Sequence, residues 1–183
     1  FAENKNKTDI LSFTDTSLKV TETSLNNYVS LKAGDKISAE DTMKAVLVFS
    51  ANDAAYLMAE SVAGSVDNFV NMMNEKAIEL GLKDTHFENP SGLEIDPLNP
   101  SNTDINQTTA FDLAKIAIAA YENDWVKEVI SPKNIKTTIN LAGYPVDIES
   151  RNKILGKSNN IGGKTGTEEL AGHCFVGFFE KDG

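Results

Sequence analysis

The apolar positions of the chain fall into two regimes. Between Ser38 and Val129 they recur every three or four residues, the spacing of one helical face. Ser38 is a good N-cap with Asp41 at the third helical position, and Met43, Val46 and Leu47 follow it, which predicts a first helix. After Ser50-Ala51-Asn52 a second runs through Ala54, Leu57 and Met58 toward Gly64, a residue suited to helix ends. A third puts Val66, Phe69, Met73, Ala77 and Leu80 on one stripe and stops at Gly81. Thr109 with Asp112 caps a fourth, which turns Leu113, Ile116, Ala117 and Ala120 inward. Trp125, Val126 and Val129 predict a short fifth.

Past Val129 the period drops to two. Ile135–Leu141 and Tyr144–Ile148 flank Ala142-Gly143 and read as a hairpin. His173–Phe179 is apolar on both faces, as in a strand covered on both sides. That reading puts Cys174 on a buried face, as an inert small hydrophobe. Residues 1–37, rich in Asn, Thr and Ser, are irregular to β-like. Residues 82–107 carry Pro90, Pro97 and Pro100 and no periodic element, and a loop this long is usually functional. Leu82, Phe87 and Leu93 give it anchors, which predicts a path wrapped on the helices. The layout is α+β. It is a single, incomplete domain over 1–183, with a helical lobe at 38–130 and part of a sheet lobe at 135–183. Both ends read as cut. The chain opens on Phe1, and Asp182-Gly183 is a hairpin-turn signal with no second strand after it.

Composition narrows the classes. Hydrophobic residues are 40% and charged residues 24%, an ordinary globular balance. The formal net charge of −10 argues against nucleic acid, whose phosphates need a basic surface. It argues equally against electrostatic docking on anionic lipid. One cysteine forms no intrachain disulfide and no cysteine-based zinc site.

Two short motifs carry chemistry. Gly162-Gly163-Lys164-Thr165-Gly166-Thr167 contains a glycine-lysine-threonine. A phosphate loop would need a glycine where Ser158 stands, and a helix after the motif rather than a strand. The better reading is a strand edge on which Lys164 supplies positive charge and Thr165 a hydroxyl, a pair suited to a carboxylate. Far upstream, Ser50-Ala51-Asn52 sits at a junction of helices. Serine acyl-transfer enzymes combine S-x-x-K, S-x-N and K-T-G in that chain order. The second and third are present, against a bland alternative of simple helix capping by Ser50 and Asn52.

With these motifs the chain resembles the D-alanyl-D-alanine carboxypeptidases among the low-molecular-mass penicillin-binding proteins. The resemblance also covers Gly81–Leu93, Thr108–Ala114 and Ala171-Gly172. It implies a fold like that of serine β-lactamases, a helical lobe packed on a mainly antiparallel sheet. It implies hydrolysis of the terminal D-alanine of peptidoglycan stem peptides through an acyl-serine, without metal or cofactor, and acylation by β-lactams. It implies an exported, envelope-associated protein whose signal segment is not in this chain. By resemblance, Ser50 would relay a proton, Asn52 would bond the acyl-side peptide group, and Lys164 would raise the local potential and assist the relay. Thr165 would hold the substrate carboxylate, the Thr167 N–H would form half of an oxyanion hole, and Gly163 and Gly166 would be permissive neighbours.

The nucleophile is expected outside this chain, with Phe1–Asp9 as the tail of its helix. The one literal S-x-x-K, Ser150-Arg151-Asn152-Lys153, falls between a predicted hairpin and the Lys-Thr-Gly strand and reads as a surface segment. Glu168 stands where a threonine is expected, which bears on substrate preference. His86 reads as a local loop group, His173 as a structural residue beside the cleft, and Glu168-Glu169 as a solvated rim. Two alternatives stay open. One is a serine β-lactamase, although Glu22-Thr23-Ser24-Leu25-Asn26 matches E-x-x-L-N only ahead of Ser50, out of order. The other is a non-catalytic wall-peptide-binding module. Uncovered sheet edges would also favour self-association.

Overall fold

The structure is a computed structural model that describes residues 1–181; the Asp182-Gly183 turn signal lies outside the described residues. The described residues form six strands and six α-helices, joined in places by short 3₁₀ turns and one π-helical turn. Strands β1 (Ile10–Ser12), β2 (Lys36–Ser38), β3 (Lys136–Leu141) and β4 (Tyr144–Glu149) form one antiparallel sheet in the order β1-β2-β3-β4. Strands β5 (Asn160–Glu168) and β6 (Gly172–Phe179) form a separate antiparallel pair. The predicted hairpin is therefore β3–β4, turned at Ala142-Gly143, and it joins the N-terminal strands rather than the Lys-Thr-Gly strand.

The helices begin where the capping residues stand. Thr14 opens α1 (Asp15–Leu18) through a reciprocal pair of bonds with Ser17. The Ser38 hydroxyl accepts from the Asp41 N–H at the start of α2 (Ala39–Lys44). Helix α3 (Asn52–Ala63) ends at Gly64 in the left-handed region, φ +77°, where glycine carries no side-chain penalty. Ser65 and Thr109 cap α4 (Val66–Glu79) and α5 (Ala110–Tyr121) in the same manner as Ser38. Asn123 caps α6 (Asp124–Val129) with bonds from two backbone N–H groups.

One apolar core joins the four-stranded sheet to α2, α3 and α6. Phe13, Leu25, Ile37, Leu57, Ile139 and Leu141 are all buried within it. Each such side chain contributes about 1.5–3 kcal/mol by leaving water. Helix α3 is the most enclosed element, buried without break from Asp53 to Ala59. That burial makes it a rigid base for whatever stands at its N-terminus. The 82–107 loop wraps as expected. Leu82 and Leu93 are buried, Asn74 of α4 bonds both the N–H and the carbonyl of Phe87, and the Tyr56 hydroxyl of α3 donates to Asp96 at 2.7 Å.

Four expectations need correction. Strand β6 is not covered on both faces: Cys174, Phe175 and Phe179 are exposed, because among the described residues β6 pairs with β5 alone. Cys174 is thus a surface thiol, not a buried hydrophobe. In α5 the only buried side chain is Asp112, while Leu113, Ile116 and Ala117 are half-buried and Ala120 is exposed. Phe1–Asp9 forms turns, beginning with a single helical turn from the Lys5 N–H to the Phe1 carbonyl.

Candidate active site

Between α2 and α3 the chain changes its helical pitch. Ala45–Phe49 winds as a π-helical turn, and Ser50 ends it in the left-handed region at φ +70°, ψ +40°. Wide turns of this kind are rare and frequent at functional sites, and a left-handed non-glycine residue stores about 1–3 kcal/mol of strain. The Ser50 and Ala51 N–H groups both fold back to the Ala45 carbonyl, so the backbone holds the turn closed. The next residue but one, Asn52, starts α3. Its N–H donates to the Thr23 carbonyl at 2.9 Å and its Nδ2 to the Glu22 carbonyl at 3.0 Å. Neither Ser50 nor Asn52 is a side-chain N-cap of α3: the N-cap is Ala51, and no side chain there accepts a helix N–H.

Strand β5 approaches from the other side. Lys164 Nζ donates to Ser50 Oγ at 2.8 Å and to the Thr165 carbonyl at 2.6 Å. Burial pushes the Lys164 ammonium down to about 8, and the Arg151 guanidinium adds to that through charge repulsion. Arg151 stacks over the Phe49 ring, 4.7 Å from its centre, and its Nε donates to the Phe49 carbonyl at 3.2 Å. Ser50, Asn52, Lys164, Thr165, Gly166 and Thr167 all line one cleft of about 830 Å³. That size lies in the range of small-molecule sites.

Glycine serves here in a way that differs from the expectation. A Cβ on Gly163 would run into the Val176 carbonyl oxygen and stand 3.0 Å from the Phe175 ring, so its bare Cα is what lets β6 pair with β5. Gly166 alone faces open space, with the Cys174 side chain 4.0 Å from where its Cβ would be.

Other candidates divide clearly. His173 lines the cleft and shares a 3.1 Å hydrogen bond between its Nδ1 and Thr167 Oγ1, while His86 pairs with Glu88 at 2.6 Å and does not line it. Glu168 lines the cleft, Glu169 does not, and burial raises the Glu168 carboxyl, helped by the charges of Glu22 and Glu94. In the literal S-x-x-K, Ser150 is buried with its hydroxyl accepting from the Asn152 N–H, the segment is non-helical, and Lys153 is exposed. The two side chains do not share a helix face. Thr23, Ser91, Arg151 and Lys153 also line the cleft, although the sequence assigned none of them a role there. For Thr23 the E-x-x-L-N match was the only sign, and Arg151 stood inside the segment read as surface.

Comparison with known proteins fits this geometry. The family model for D-alanyl-D-alanine carboxypeptidase matches residues 2–183. The chain belongs to that family. It is 36% identical over 153 residues to the D-alanyl-D-alanine carboxypeptidase DacC of Escherichia coli K12, covering 82% of this chain and 35% of DacC. A crystal structure of a D-alanyl-D-alanine carboxypeptidase from Mycobacterium tuberculosis H37Rv superimposes with a TM-score of 0.85 at 26% identity, over 99% of this chain and 64% of that one. Penicillin-binding protein D2 of Listeria monocytogenes, solved in its ampicillin-bound form, superimposes at 0.78 with 26% identity, over 96% and 65%. The chain thus spans about a third of DacC and just under two thirds of these solved relatives. The fold is that of the penicillin-binding D,D-peptidases, mixed helix and antiparallel sheet.

Proposed function

We propose that this chain forms most of the cleft of a serine-type D-Ala-D-Ala carboxypeptidase that acts on peptidoglycan stem peptides and is acylated by β-lactams. The single observation that supports this best is the 2.8 Å bond from Lys164 Nζ to Ser50 Oγ. It couples a hydroxyl that can pass a proton to an amine whose proton is held loosely, with its dissociation near 8.

In this reading a nucleophilic serine, supplied by another segment, attacks the carbonyl between the two D-alanines. Its proton passes to a base, Ser50 carries a proton on to the departing amine, and the C–N bond breaks to leave an acyl-serine and free D-alanine. Water then attacks the ester, the acyl C–O bond breaks and the serine regains its proton. Thr165 and the charge of Lys164 receive the substrate carboxylate, and Asn52 bonds the peptide on the acyl side. The Thr167 N–H faces the carbonyl oxygen as its charge grows, a contribution worth several kcal/mol where two such donors act together. In the same reading residues 38–130 serve as the helical lobe, and of the range 135–183 expected for the sheet lobe the β5–β6 pair fills that place, since β3–β4 shares its core with the helices. Substrates of this kind place the protein outside the cytoplasm, at the envelope. Self-association through the free edges of β5–β6 belongs to the same reading.

The test is release of D-alanine from an acylated dipeptide ending in D-Ala-D-Ala, by a version of the protein spanning the length of its relatives. Release with a stable penicillin adduct supports the carboxypeptidase. Rapid turnover of penicillin would favour the β-lactamase alternative, and binding without release would favour the wall-peptide module.

A further inference from the structure

The most enclosed charged group in the described chain has no place in the mechanism above. Asp53, the second residue of α3, is fully buried. Its carboxylate accepts from the Ser24 hydroxyl at 2.7 Å and from the N–H groups of Leu25 at 3.0 Å, Asn26 at 3.3 Å and Ala54 at 2.9 Å. Three of these four donors come from one turn, Glu22–Asn26. The same turn supplies the carbonyls of Glu22 and Thr23 that hold Asn52 by its side-chain and backbone nitrogens. Thr23 stands in the left-handed region at φ +42°, a conformation a threonine keeps only when its surroundings impose it.

We propose that Asp53 is a positioning residue: it ties the Glu22–Asn26 turn to the start of α3, and that turn fixes the orientation of the Asn52 carboxamide in the cleft. The logic is local. With Nδ2 committed to the Glu22 carbonyl, the amide cannot flip, because its oxygen would then face another oxygen. Oδ1 and the second Nδ2 hydrogen are left for a peptide group in the cleft. A carboxylate with both oxygens engaged is the acceptor best suited to collect several N–H groups of one turn, and burial keeps water from competing. The consequence for catalysis rests on the function proposed above; the positioning itself does not.

The experiment uses the 183-residue chain with two variants, Asp53→Asn and Ser24→Ala. The first keeps shape and puts an amide where an acceptor is needed; the second removes one donor and leaves no buried charge unpaired, so it reports even where the first fails to fold. Hydrogen exchange of the Asn52 side-chain amide, read by NMR, is the spectroscopic signature. Asn74 and Asn106, whose side chains bond the Phe87 and Asn89 carbonyls, are internal controls. The expected result is exchange at Asn52 faster by about tenfold in Asp53→Asn and less in Ser24→Ala, with the controls unmoved, as for a local opening. Equal acceleration at all three asparagines marks a merely structural role and overturns the proposal, as does an unchanged Asn52 in both variants. In the longer protein, Asp53→Asn is expected to slow penicillin acylation while the Lys164 amine keeps its titration. Absence of acylation in every version, wild type included, would count against the proposed function and leave the exchange result to decide this inference.

Discussion

Replacing Lys164 by methionine should make the protein more stable at neutral pH and abolish the pH dependence that Lys164 brings. A lysine amine held near 8 in the fold, against 10.5 when exposed, stays charged at pH 7 at an energetic cost. The sign follows from proton counting. Between pH 8 and 10.5 the unfolded chain keeps the proton that the folded chain has released, so stability rises with pH across that window. At 1.36 kcal/mol per tenfold in proton affinity, the gain between pH 7 and pH 10 is about 2.5 kcal/mol, with little of it realised below pH 7.5. Methionine keeps the length of the side chain and removes the charge. It also gives up the bonds to Ser50 Oγ and the Thr165 carbonyl, about 1 kcal/mol each, so the net gain at pH 7 is smaller than the electrostatic part alone. The assay is urea unfolding of wild type and Lys164→Met at pH 7, 8.5 and 10. The difference between the two proteins removes the titration of every other lysine and of Tyr56. Wild type should gain on the variant by about 2.5 kcal/mol from pH 7 to 10. Parallel curves would show that Lys164 is neither buried nor depressed, and the proton relay would lose its basis.

Further outcomes follow from single positions. Ser50→Gly should change stability by less than about 1 kcal/mol, because the relief of a left-handed residue at φ +70° is offset by loss of the Lys164 Nζ bond, while abolishing acylation in the longer protein; chemical unfolding and penicillin labelling read the two effects. Gly163→Ala should cost more than about 2 kcal/mol, because its Cβ meets the Val176 carbonyl, and should loosen the β5–β6 pair in hydrogen exchange. Tyr56→Phe should cost about 1 kcal/mol and speed exchange at the Leu98 N–H, which shares Asp96 as acceptor, without affecting β3–β4.

How much was legible follows the range of the interactions. Helix starts at Ser38 and Thr109 depend on a side chain and an N–H three residues away, so the sequence carries them openly. The hairpin of β3 and β4 is equally local. The pairing of Ser50 with Lys164 spans most of the chain and was readable only because both ends carry chemically distinctive motifs. Where no motif marked the partner, the reading fell short. Periodicity in β6 and α5 shows which side chains are apolar but not what covers them, and Cys174, Phe175 and Ala120 are exposed. The Glu22–Asn26 turn meets α3 through backbone carbonyls and N–H groups, which leave no residue-type signature apart from Ser24 and Asp53. Arg151 reaches the cleft by stacking on Phe49, a contact set by the fold around β4 rather than by neighbouring residues.

The most direct measurement is intact-mass spectrometry after incubation with a fluorescent penicillin, on the 183-residue chain and on a version spanning the length of its relatives. The account predicts no covalent adduct on the shorter chain, because it assigns Ser50, bonded by Lys164 Nζ, to proton transfer rather than attack, and Ser150 is buried in a non-helical segment. It predicts one adduct per molecule on the longer version, formed slower by orders of magnitude in Lys164→Ala. A stoichiometric adduct on the shorter chain, above all on Ser150, or an acylation rate indifferent to Lys164, would contradict it.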